Sequence, residues 1–268
     1  MKTGLCLGGG GAKGFAHVGV YEVLLERKVP IDAVVGCSIG AIVGAGIAMG
    51  KTPAELKEMM MAFSSHVPHL FMPRKTGLTR GAVLAAAEED SALEQAFSKD
   101  LRFEDLKLPF AVNAVDLITG AEVIFDSGPL LPAVRASMSL PGLYPPVSLG
   151  DYLLVDGGVI NKNPVHLLQR FEVERVVAVD LRSMQFEADF SDLKRSVDGE
   201  WVLPRIRWPY QILMRSLAIA ETARTDILFH EHPPDVLIQP DLADFTIFDA
   251  RQGELMIERG REAAERAL

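Results

Sequence analysis

Two short stretches of the chain carry residue types and spacings suited to acyl transfer. The first is Val34-Val35-Gly36-Cys37-Ser38-Ile39-Gly40, an apolar β-branched run ending in Gly-x-Ser-x-Gly. A serine set on a tight strand-to-helix turn is held in a strained backbone conformation, with its oxygen projecting beyond the sheet. Side chains two positions before and after would collide there, which accounts for Gly36 and Gly40. The helix that follows directs its positive end at the serine and stabilises developing negative charge. Ser38 is therefore the candidate nucleophile.

A serine hydroxyl needs a base. The usual one is histidine, and the chain has six, His17, His66, His69, His166, His230 and His232. His17 falls at an interior position of the first helix, and His66 and His69 flank Pro68. His230 and His232 come late, where a serine–acid–histidine chain order would put the base. Asp156 has the stronger local pattern, an apolar strand end followed by Gly157 and Gly158 in a tight turn. An aspartate there can reach Ser38 and act as base once burial raises its proton affinity. It can also simply cap the amides of its own turn.

The second stretch is Gly8-Gly9-Gly10-Gly11-Ala12-Lys13-Gly14, between a short strand and a helix. Gly9, Gly11 and Gly14 satisfy the dinucleotide pattern G-x-G-x-x-G. A dinucleotide site also wants an acidic residue at the end of the second strand. Here Asp32 stands at its beginning and Gly36-Cys37-Ser38 at its end. Gly50-Lys51-Thr52 looks like the tail of a phosphate loop, but Ala45 occupies the first glycine position. An oxyanion hole fits better, with backbone amides of Gly9, Gly10 and Gly11 converging on one point. One such donor is worth roughly 3 kcal/mol of barrier.

Positioning these groups requires a sheet. The first third reads strand, helix, strand, helix, over Leu5–Leu7, Ala16–Glu26, Val29–Val35 and Ala41–Met49, and Pro53 opens a further helix. That alternation predicts a three-layer α/β/α fold around a mostly parallel sheet. Adjacent parallel strands would set the glycine loop and the serine turn side by side at their C-terminal ends. Phe110–Asp116 and Glu122–Phe125 read as a hairpin, Pro129–Met138 as a helix, and Tyr152–Val155, Val173–Asp180 and Val236–Gln239 as strands. A charged C-terminal helix closes the chain. The acidic stretch 183–200 reads as a solvated loop. Residues 1–268 are expected to form one domain, with the motifs in 8–164.

The bulk composition narrows the function classes. A net charge of −9 disfavours nucleic-acid binding, which needs clustered Lys and Arg. Cys6 and Cys37 both lie in apolar runs and imply no disulfide framework, so a reducing, cytoplasmic compartment is expected. No apolar run approaches the roughly 18 residues of a membrane span. No His, Cys or carboxylate cluster has ligand spacing, so neither metal nor cofactor is implied.

Taken together, the motifs resemble those of the patatin-like phospholipases. The resemblance rests on Gly9–Gly14 with Lys13, on Gly36–Gly40, on Ala136-Ser137-Met138-Ser139-Leu140-Pro141 through Pro146, and on Asp156-Gly157-Gly158. Tyr144 stands where phenylalanine is frequent. The resemblance implies a patatin-like fold, a Ser38–Asp156 dyad without histidine, and a lipid or fatty-acyl ester substrate. The compact size is similar to that of the bacterial branch. A lipid substrate implies an apolar groove, for which Met59–Met61 and Val67–Met72 could supply a flap, although core packing is the commoner use of such residues. Trp201, Arg205, Arg207, Trp208, Tyr210 and Arg215 suit transient, peripheral contact with a membrane surface. They suit a protein interface equally well. A lipid-sensing adaptor with incidental catalysis is the alternative function. Oligomeric state is not legible in the sequence.

Overall fold

The computed structural model describes residues 1–66, 93–182 and 208–268. The expected loop at 183–200, the segment Val67–Met72, His69, Trp201, Arg205 and Arg207 lie outside the described residues, as do the side chains of His66, Trp208 and Tyr210.

The chain opens with β1 (Thr3–Leu7), a 3-10 turn at Gly11–Gly14, α1 (Phe15–Glu26), β2 (Ala33–Gly36), α2 (Ile39–Ala48) and α3 (Pro53–His66). Thr52 caps α3, where its hydroxyl and amide both reach Glu55 Oε2 at 2.7 Å. The middle supplies β3 (Phe110–Asp116), β4 (Glu122–Phe125), α4 (Leu130–Ser137), β5 (Val147–Leu149) and β6 (Tyr152–Asp156). After 3-10 segments at Gly157–Val159 and Val165–Phe171 come β7 (Arg175–Val179), α5 (Trp208–Glu231), β8 (Val236–Ile238) and α6 (Gly253–Ala267). The second strand is shorter than its apolar run, because Ile31 and Asp32 precede the first residue paired with β1.

The strands form one mixed sheet in the order β5-β6-β3-β2-β1-β7-β8, with β4 also paired to β3. The five strands from β3 to β8 in that order run parallel, β1 to β2, β2 to β3, β1 to β7 and β7 to β8. Alternation along each strand sorts side chains to two faces. Leu5, Leu7, Val34, Val112, Val177 and Val179 pack with α1, α2 and α6 residues in one cluster. Cys6, Ala33, Val35, Ala111 and Ala178 pack with Val165, Leu167 and Leu168 in the other. The central strands are thus apolar on both sides, as a covered parallel sheet requires. Both cysteines are buried and free.

The pairing around β3 decides the site. Its residues 110–112 pair with β2, and residues 114–116 pair antiparallel with β6. Residues 112–115 are also paired to β4. A strand residue has only two edges, so β4 takes one, and β2 and β6 share the other. β2 ends at Gly36 opposite Val112, and β6 ends at Asp156 opposite Ala114. The two strands therefore meet end to end, and whatever follows Gly36 faces whatever ends β6.

Candidate active site

Ser38 sits at the N-cap of α2 with φ 55° and ψ −124°, a conformation that a residue with a side chain rarely adopts. Close packing of the turn explains why glycines surround it. A Cβ at Gly36 would run into the Gly40 carbonyl, and one at Gly40 into the Leu7 carbonyl. The end of β1 and the start of α2 are thereby pressed together, which brings the glycine loop beside Ser38.

The hydroxyl of Ser38 donates to Asp156 Oδ2 at 2.6 Å. The other oxygen, Oδ1, accepts the Gly158 amide at 2.7 Å. The carboxylate therefore caps its own turn and also receives the serine, and the two uses do not compete. Asp156 is 3% exposed. Burial pushes its carboxyl up to about 6, against the downward pull of the hydrogen bonds from Ser38 and Gly158. A short O–H···O contact of this kind can pass a proton directly.

The Ala-Ser block holds both partners. Ser137 Oγ accepts the Ser38 amide at 3.0 Å, and the Ser139 carbonyl accepts the Asp156 amide at 2.9 Å. Behind the turn, Asn113 Nδ2 donates to the Asn161 carbonyl and to Glu122 Oε1, both at 2.8 Å. Gly157 lies flat on Asn113, where a Cβ would collide with its side chain.

Gly9, Gly10 and Gly11 line one pocket with Ser38 and Asp156. Their amides are not equivalent. That of Gly9 already donates to the Lys162 carbonyl at 3.0 Å, so Gly9 differs from its expected role as a donor. It acts as a spacer, since a Cβ there would press on both Ser38 Cβ at 3.2 Å and Lys162 Cγ at 3.3 Å. The amides of Gly10 and Gly11 have no protein acceptor among the described residues. The same holds for Ile39, the residue after the serine, whose amide belongs to the open first turn of α2. Its position in the motif was the signal for it. Gly14 makes room for Ile39, whose side chain a Cβ at Gly14 would meet. Lys13 is buried, and burial with the nearby Lys162 pushes its ammonium down to about 8.

Most of the remaining wall is apolar, with Ile42 from α2, Phe63 from α3, Met138, Leu143, Ile247 and Phe248, and Lys162 and Glu221 add a charged pair to it. Met59 and Met60 pack in the core instead. No histidine lines the pocket among the described residues. His17 donates from Nε2 to the Gly8 carbonyl at 2.8 Å, and burial lowers its imidazole to about 4, which keeps it neutral. His232 pairs with Gln169 at 3.2 Å. A triad through His230 or His232 is therefore not the arrangement present. Among the described residues no group of three potential ligands could hold a metal ion, and no helix is long and apolar enough to cross a membrane. Of the stretch 201–215, the described side chains include Ile212 and Leu213, both exposed.

Comparison with known proteins supplies the lineage. Residues 5–168 match the family model of the patatin-like phospholipases. The chain belongs to the patatin-like phospholipase family. An uncharacterised NTE family protein of Mycobacterium tuberculosis is 34% identical over 286 residues, a match that takes in all of this chain and 46% of the relative. Lysophospholipase NTE1 of Cryptococcus neoformans is 33% identical over 212 residues, covering 75% of this chain and 12% of that protein. The chain thus spans less than half the length of these patatin-like relatives. Among solved structures, VipD from Legionella pneumophila superposes with a TM-score of 0.56 at 15% identity, over 98% of this chain and 66% of VipD. The shared patatin-like fold has a mixed α/β sheet with helices on both sides.

Proposed function

We propose that this protein is a serine hydrolase of fatty-acyl lipid esters, working through Ser38 and Asp156. The hydrogen bond of 2.6 Å from Ser38 Oγ to Asp156 Oδ2, made at one wall of a mainly apolar pocket, carries the reading. Family membership supports lipid hydrolysis as the class of chemistry.

In the first step Asp156 takes the hydroxyl proton as Ser38 Oγ attacks the ester carbonyl. The amides of Gly10, Gly11 and Ile39 are the donors available to the oxygen that becomes negative, and the positive end of α2 adds to their effect. Collapse breaks the bond to the alcohol, which leaves with the proton from Asp156, and an acyl ester on Ser38 remains. Water then attacks that ester while Asp156 takes its proton. Departure of the fatty acid returns a proton to Ser38 Oγ. A carboxyl raised to about 6 is matched to this alternation near neutral pH. The acyl chain would lie against Ile42, Phe63, Met138 and Leu143.

Turnover of a short-chain ester tests the assignment. Ser38→Ala is expected to abolish it, and Asp156→Asn to lower it by roughly a thousandfold. Joint replacement of His230 and His232 is expected to leave it unchanged. Turnover that survives Asp156→Asn and is lost in the histidine variant would overturn the dyad.

A further inference from the structure

Lys162 and Glu221 meet inside the same pocket as Ser38 and Asp156, with Lys162 Nζ donating to Glu221 Oε2 at 3.2 Å. They are 19% and 16% exposed, so water has been largely removed from two full charges. Such a pair returns its desolvation cost only when further hydrogen bonds satisfy both groups. Those bonds are missing among the described residues. The ammonium has three donors and makes one bond, and the carboxylate accepts one. Elsewhere the chain completes such groups. Arg182, for example, donates to Asp180, to Asp226 and to the Thr222 carbonyl.

The pair also stands next to the chemistry. The Lys162 carbonyl accepts the Gly9 amide, and Lys162 Cγ and Ser38 Cβ both crowd the side of Gly9 where a Cβ would stand. Glu221 reaches in from α5, a separate element that contributes Ala218 to the same wall. The other walls are mainly apolar. A cation and an anion side by side, each with unused bonding capacity, thus line the same pocket as the Ser38 hydroxyl, apart from the apolar walls assigned to the acyl chain.

We propose that Lys162 and Glu221 form a head-group subsite for zwitterionic phosphodiesters, Lys162 taking the phosphate and Glu221 the amine. This rests on the reading of Ser38 and Asp156 as an ester-cleaving dyad. The two side chains separate as the head group enters, and each exchanges one partner for another of the same sign. Total charge in the subsite is zero before and after, which is why a zwitterion fits and an anionic head group does not. An anionic lipid would satisfy Lys162 but leave Glu221 facing a phosphate with its own cation gone. Neutral glycerides would leave the pair closed.

The test compares kcat/KM for palmitoyl lysophosphatidylethanolamine with that for palmitoyl lysophosphatidylglycerol within each variant, so that a general loss of activity cancels. The wild type is expected to prefer the ethanolamine lipid by about tenfold, the worth of one charge-assisted contact. Glu221→Gln is expected to erase or reverse that preference, and Lys162→Met to lower both lipids relative to palmitoyl monoacylglycerol. The charge-swapped double variant, Lys162→Glu with Glu221→Lys, keeps an ion pair between the elements. It should recover the melting temperature without recovering the preference. A swapped pair that restores both, or a ratio that stays flat through the single variants, overturns the subsite. Wild-type turnover of a short neutral ester, lost in Ser38→Ala, is measured alongside. Its absence would count against the dyad, whereas its presence with a flat ratio counts against the subsite alone.

Discussion

In the proposed mechanism Asp156 serves as a base, and it must still be tolerated in the interior. Burial is the larger influence on it and raises its carboxyl from an ordinary 3.8 to about 6, with the hydrogen bonds from Ser38 and Gly158 pulling the other way. The folded protein therefore holds this proton more tightly than the unfolded chain. The stability it contributes is full below pH 3.8 and is lost as pH rises through about 6. Two pH units amount to about 3 kcal/mol carried as a cost at neutral pH. Asp156→Asn removes that cost, since an amide can still accept from Gly158 and can donate to Ser38. The variant is expected to melt several degrees above the wild type at pH 8, with the difference shrinking toward pH 4. A variant that is less stable at pH 8 would show that the carboxylate is better accommodated than its burial implies. His17 works in the opposite sense, because its neutral form is favoured inside. Its contribution is present above pH 6.5 and lost as pH falls toward about 4.

At the scale of elements, the site depends on how closely β1, β2 and α2 approach. Gly40 is the tightest point, with its missing Cβ replaced by the Leu7 carbonyl. Gly40→Ala must push α2 away from β1 and the glycine loop. It is expected to cost about 1–3 kcal/mol, read as a lower urea midpoint, and to slow reaction of Ser38 with a fluorophosphonate beyond what the remaining folded fraction explains. Unchanged labelling would mean that the turn keeps its geometry without this contact. The strand-to-helix turn was legible in the sequence because every cause of it is local, from the β-branched run to the two glycines and the small residues of α2. The helix α5 was not. Its exposed positions include Ile212, Leu213, Ile219 and Ile227, so its apolar residues do not mark one clean stripe. The Lys162–Glu221 contact joins positions 59 residues apart, with nothing in either neighbourhood to announce the other.

For the whole molecule, the event that matters is the meeting of Ser38 with a carboxylate 118 residues further along. The order of the motifs signalled that they belong together. The means was not visible: β6 continues along the edge of β3 that β2 vacates, so two strands of opposite direction end face to face. Strand partners of this kind are chosen by the completed sheet, and alternation within a strand says which face is buried, not which neighbour lies beside it. The Ala-Ser block was recognisable as a motif, but its work of holding the Ser38 amide through Ser137 and the Asp156 amide through Ser139 emerges only once the sheet is closed. The helix α6 packs along α1, with Gly260 against the Ala16 carbonyl, and covers the face of the sheet on which α2 also lies.

The most direct test of this arrangement is the rate at which a fluorophosphonate modifies Ser38, followed against pH in the wild type and in Asp156→Asn. The rate in the wild type is expected to rise through a single ionisation near pH 6 and to level off above it. In the variant, that limb should be missing and the plateau reduced by roughly a hundredfold or more. The same limb persisting in Asp156→Asn would mean that another group activates the serine, and would contradict the central claim.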